Sequence, residues 1–95
     1  MRYRHIVLFR VHDDTPEAAV AAAIDALRRL AALPGVVELK AVPSLDTRKG
    51  QVIVLDSTFA DDRAFDAYRQ HPAHVQVGTM MSGISDWIVG DYQVS

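Results

Sequence analysis

Residues 3–11 read Tyr3-Arg4-His5-Ile6-Val7-Leu8-Phe9-Arg10-Val11. The run is rich in β-branched and aromatic types, as a strand should be. His5, Val7, Phe9 and Val11 share one face at period two, and Ile6, Leu8 and Arg10 share the other. Both faces are largely apolar, so the segment is expected at the centre of a sheet, covered on both sides. His12-Asp13-Asp14 breaks it.

Downstream, Thr15-Pro16-Glu17 has the form of a helix start. Thr15 is the expected N-cap, Pro16 the first helical residue, and Glu17 sits at the positive end of the dipole. The helix is predicted to run to about Ala32, with Val20, Ile24, Leu27 and Ala31 as its buried stripe. Its alanines suit close packing on a sheet. Leu33-Pro34-Gly35 ends it, and Val36 to Val42 is a second strand whose end Pro43 confines to an edge or a bend. After the polar turn Asp46 to Gly50, Gln51 to Phe59 is a third strand. It carries Ile53, Leu55 and Phe59 on one face, and Val52, Val54, Asp56 and Thr58 on the other.

Asp61 or Asp62 caps a second helix, with Ala64, Phe65, Ala67 and Tyr68 as its apolar positions. It ends before His71-Pro72, because a residue preceding proline disfavours α geometry. A further helical turn starts at Pro72-Ala73-His74 and runs towards Met81 until Gly83 breaks it. Ser85 to Val94, with Trp87, Val89 and Tyr92, is the last strand.

The order β-α-β-β-α-β predicts an α+β, ferredoxin-like domain. Its four-stranded antiparallel sheet has the helices on one face. The other face, expected to carry Val7, Phe9 or their neighbours, cannot sit in water. A second copy packed sheet to sheet would cover it, so a homodimer is expected.

Composition agrees with one small domain over residues 1–95. Half the chain is apolar, and a domain this short buries only ~60–65% of its unfolded surface, which again favours a homo-oligomer. The net charge of −2 gives no basic footprint for nucleic acid and no polybasic surface for an anionic membrane. No apolar run of about twenty residues is present, so no transmembrane helix is expected, and nothing at the N-terminus reads as a signal peptide. The absence of cysteine excludes a disulfide framework, a zinc finger and a thiol nucleophile, and it suits the cytoplasm.

A resemblance then emerges from His5-Ile6-Val7-Leu8-Phe9-Arg10, Leu33-Pro34-Gly35-Val36, Ala67-Tyr68, His71-Pro72-Ala73-His74 and Asp91-Tyr92. In this order, spanning nearly the whole chain, they resemble the Dabb family of stress-responsive dimeric α/β-barrels. The resemblance implies a ferredoxin-like protomer that dimerises through its sheet. Some plant members are cofactor-free polyketide cyclases, which close a linear poly-β-keto chain by aldol condensation. Their catalytic tyrosine and histidine correspond to Tyr68 and His74, and their strand-one pocket histidine to His5. Two pocket positions depart from that pattern: Ile53 stands for a histidine and Leu27 for a tyrosine. These departures count against the plant members' particular substrate, not against the proton-transfer pair.

On this reading His74 is a general base, since imidazole titrates near neutral pH. Tyr68 donates a hydrogen bond to an enolate oxygen, and His5 orients the substrate. Phe9, Leu27, Ile53 and His71 are expected to line an apolar pocket that takes a polyketide-like or other apolar small molecule. The alternatives are structural. His74 can lock its loop through a backbone carbonyl, His5 can be a satisfied core histidine, and His71 can hydrogen-bond backbone at a helix end. No metal is expected, because His5, His71 and His74 have no further ligand at an obvious spacing, and no cofactor is expected either. Two functions therefore stand: a cofactor-independent small-molecule enzyme, or a non-catalytic dimeric ligand-binding or stress-response module.

Overall fold

The computed structural model describes residues 1–94. Strand β1 (Arg2–Val11) leads into helix α1 (Glu17–Arg29), which tightens into a 3-10 turn at Leu30–Ala32. Strands β2 (Val36–Pro43) and β3 (Val52–Phe59) form a hairpin. Helices α2 (Asp62–Gln70) and α3 (Pro72–Ser82) follow, and β4 (Ser85–Val94) closes the chain. The four strands form one antiparallel sheet in the order β2-β3-β1-β4. This is the expected ferredoxin-like α+β architecture, and β1 is central as its composition requires.

The two faces of the sheet differ sharply. His5, Val7, Phe9 and Val11 lie buried beneath the helices, beside Ile53, Leu55 and Phe59 of β3. The uncovered face therefore carries their neighbours, not Val7 and Phe9. One cross-strand row on it is apolar throughout: Val42, Val54, Leu8 and Ile88 stand side by side. Leu8 is 46% and Ile88 75% exposed. Next to that row, Arg4 grips Asp56 through two hydrogen bonds of 2.8 and 2.9 Å. That grip holds the Asp56 carboxyl below its usual range.

The helix start differs from expectation. Pro16 occupies the N-cap in extended geometry and no side chain caps α1. The Thr15 hydroxyl turns instead to the Ile84 carbonyl, at 3.5 Å. The buried stripe also shifts at its end. Val20, Ile24 and Leu27 are buried as predicted, but Leu30 replaces Ala31, which is exposed, because the 3-10 turn advances the residues faster round the axis. Helix α2 is capped as predicted: the Asp61 carboxylate accepts from the Ala64 N–H at 2.8 Å, a contact typically worth ~1 kcal/mol. On α2, Phe65 and Tyr68 are buried while Ala67 faces solvent.

Gly35 makes the turn into β2 with φ of +84°, the left-handed region that side chains avoid. A Cβ there would sit 2.8 Å from that of Ala64, so the turn also lets α2 approach. Among the described residues, no helix is long and apolar enough to cross a membrane.

Candidate active site

Between the helix-facing side of β1 and β4 and helices α2 and α3 lies a cavity of about 360 Å³. Phe9, Val7, Leu27, Leu30, Val77 and Met81 give it an apolar lining. Its mouth lies along β4, where Trp87 and Val89 face the helices but stay 42% and 48% exposed. The Trp87 ring meets Phe9 edge-on at 5.4 Å.

Two polar groupings enter this lining. The first joins β1 to β4. His5 and Asp91 are cross-strand partners, and the ring Nδ1 of His5 is 2.7 Å from Asp91 Oδ1. The Tyr3 hydroxyl donates to the other carboxylate oxygen at 2.6 Å. Asp91 thus fixes the Nδ1–H form of His5 and leaves Nε2 as the acceptor. Its hydrogen bond, burial and its charge together push the Tyr3 phenol up to about 12.

The second grouping joins α2 to α3. The rings of Tyr68 and His74 are 4.7 Å apart, inclined at 59°. Tyr68 is 1% exposed, wedged against Phe59 at 4.6 Å and Phe65 at 6.3 Å. Among the described residues its hydroxyl has no hydrogen-bond partner. Burial pushes the phenol up to about 12, so it stays a donor at neutral pH. Burial also pulls His74 below the ordinary imidazole value. The ring is therefore neutral near pH 7 and able to accept a proton.

Of the residues the sequence singles out, His5, Tyr68, His74, Phe9 and Leu27 meet at this cavity. Two do not line it. Ile53 is fully buried under the helices in β3, one strand further from the mouth. His71 is the N-cap of α3: its Nδ1 accepts from the Ala73 N–H at 3.0 Å, which commits that lone pair to the backbone. Among the residues that join the site without having been singled out for it are three that bring polar chemistry: Asp91, Tyr3 and Arg69. The β1–β4 register, once known, places Asp91 opposite His5, but that register is not a property of either strand alone. Among the described residues, no three His, Asp or Glu side chains gather as a metal site.

Solved structures share this fold. A dimeric ferredoxin-like protein of unknown function from Thermobifida fusca is 25% identical with a TM-score of 0.88, covering 99% of this chain and 92% of its own. A second dimeric ferredoxin-like protein of unknown function, from Jannaschia sp. CCS1, is 26% identical with a TM-score of 0.83, covering 99% and 100%. The hydroxynitrile lyase of Passiflora edulis, at 20% identity, has the same fold, with a TM-score of 0.86 over 99% of this chain and 94% of its own. No curated protein matches the chain. The model of the stress responsive A/B barrel domain matches residues 3–94, from the strand that carries His5 to the strand that carries Asp91, and the chain belongs to that family, Dabb.

Proposed function

We propose that this protein is a cofactor-independent enzyme that moves protons on a small, enolisable carbonyl compound, in the manner of an aldol-type polyketide cyclase. One observation carries the reading: a buried phenol with no partner among the described residues, its ring against that of a neutral imidazole, in the wall of an apolar cavity. An unpaired buried hydroxyl costs ~1–3 kcal/mol, and a substrate oxygen is the partner that would satisfy it. The cavity is at the small end of the ~300–1,000 Å³ usual for ligand sites, which suits a short substrate.

In this mechanism His74 takes a proton from the carbon beside a ketone. The electron pair moves onto the ketone oxygen, where the Tyr68 hydroxyl donates a hydrogen bond to the growing charge. The enolate carbon then attacks a second carbonyl of the same chain and forms the ring C–C bond. The resulting alkoxide recovers the proton from His74. His5, held by Asp91, orients the chain by accepting through Nε2 from an enol hydroxyl of the substrate. The substrate reaches the Tyr68 oxygen by displacing side chains that now seal it.

The homodimer belongs to the same proposal. The apolar row Val42–Val54–Leu8–Ile88 is suited to a second sheet, and the Thermobifida and Jannaschia proteins are described as dimeric. The barrel so formed leaves the cavity mouth on the helix side of each protomer.

The test is turnover of a linear tetraketide thioester, whose C2 can close onto the C7 ketone, by the wild type, His74→Ala and Tyr68→Phe, with folding checked by circular dichroism. Loss of turnover by ~10²-fold or more in both folded variants supports the mechanism. Unchanged rates remove it. The packing of the His74 ring against Tyr68 favours a second reading, a ligand-binding module in which His74 only fixes α3 against α2. Binding without turnover in the wild type would select it.

A further inference from the structure

Arg69 stands at the rim of the cavity, one residue beyond Tyr68 on α2. Its guanidinium lies over the Phe65 ring, 5.8 Å from the centroid. Phe65 itself stacks on Tyr3 at 4.3 Å and contacts His5 at 4.7 Å. The cation therefore rests against the aromatic wall of the site while most of its side chain stays in solvent.

Its hydrogen-bonding capacity is barely used. Among the described residues, its one ion-pair contact is with Asp66, at 3.8 Å, on the solvent side of the same helix with both side chains more than half exposed. Such a pair contributes only ~0–1 kcal/mol. Asp91, the carboxylate inside the cavity, has one oxygen bonded to Tyr3 and the other to His5. Of the described residues that line the cavity, Arg69 is the one permanent cation.

A guanidinium fork matches the plane and spacing of a carboxylate and binds it through two parallel hydrogen bonds. Asp66 beside the arginine and Asp91 elsewhere in the cavity lining disfavour a dianion such as a phosphate monoester and leave room for one negative charge. We propose that Arg69 is a specificity-determining residue that binds the carboxylate of an oxo acid, so that the substrate enters keto group first and its anionic end stays at the rim. This rests on the function proposed above and narrows its substrate class.

The experiment is an NMR titration of the intact protein with 5-oxohexanoate and with its methyl ester, repeated for Arg69→Gln. In the wild type the free acid should bind about tenfold more tightly than the ester, a difference of ~1.4 kcal/mol. Arg69→Gln should abolish that preference while leaving the ester's affinity unchanged. Equal affinities in the wild type, or a preference that survives in Arg69→Gln, overturn the proposal. If neither compound moves the Tyr68 or His74 resonances, both this proposal and the cavity's assigned role fall. A preference that behaves as expected, alongside unchanged turnover in His74→Ala and Tyr68→Phe, sinks the catalytic mechanism alone.

Discussion

Replacing Tyr68 by phenylalanine removes one oxygen from the core and keeps the ring. The ring packing against Phe59, Phe65 and His74 survives. What disappears is a buried hydroxyl without a partner, whose desolvation costs ~1–3 kcal/mol. The dispersion attraction of that one oxygen, ~0.1–0.2 kcal/mol for each neighbouring atom, offsets part of this. The substitution should therefore stabilise the protein by about 1–2 kcal/mol, with Tm rising roughly 4–8 °C for each kcal/mol in a domain of this size. Tyr68→Ala, which removes the ring as well, should instead destabilise it by ~3–5 kcal/mol. Urea and thermal unfolding at fixed chain concentration measure both, since a dimer's stability depends on concentration. A Tyr68→Phe variant destabilised by 1 kcal/mol or more, on the order of an ordinary hydrogen bond, would refute the reasoning, because its hydroxyl would then have been bonded all along.

Three further outcomes are expected. Burial lowers the His74 pKa in the folded chain, so the unfolded chain binds the extra proton first as pH falls; stability should decline below about pH 6.5, level off beneath the folded value, and decline less in His74→Gln, as read by urea midpoints across pH 4–8. Gly35→Ala forces a side chain into a left-handed conformation and against Ala64, and should cost ~1–2 kcal/mol or more by urea unfolding. Leu8→Glu puts a charge in the middle of the open apolar row and should weaken the dimer more than about a hundredfold in sedimentation experiments, whereas a substitution at the exposed Ala31 should not.

Much of this architecture is legible in the chain because local physics decides it. Period-two patterning exposes β1 and β3, Asp61 or Asp62 marks the start of α2, and His71-Pro72 marks its end. The β-α-β-β-α-β order then leaves few ways to connect the sheet. What is not legible depends on relations between distant segments. Pattern alone shows that both faces of β1 are apolar, but not which face the helices take. The pairing of His5 with Asp91 needs the register of two strands more than eighty positions apart in the chain. Ile53 and His71 illustrate the same limit. An apolar strand residue and a histidine before proline carry the right chemistry for a pocket. One is consumed by the core and the other by a helix cap.

The position of β4 at the margin of the sheet has a kinetic consequence. It is paired on one side only, by β1, so its amides should exchange with deuterium sooner than those of β1 and β3. The same strand holds Trp87, Val89 and Asp91. Peeling it back would widen the doorway and, in the same movement, take the aspartate off the histidine. Opening of the cavity and loosening of the His5–Asp91 contact would then be a single event, with the strand behaving as a latch across the doorway.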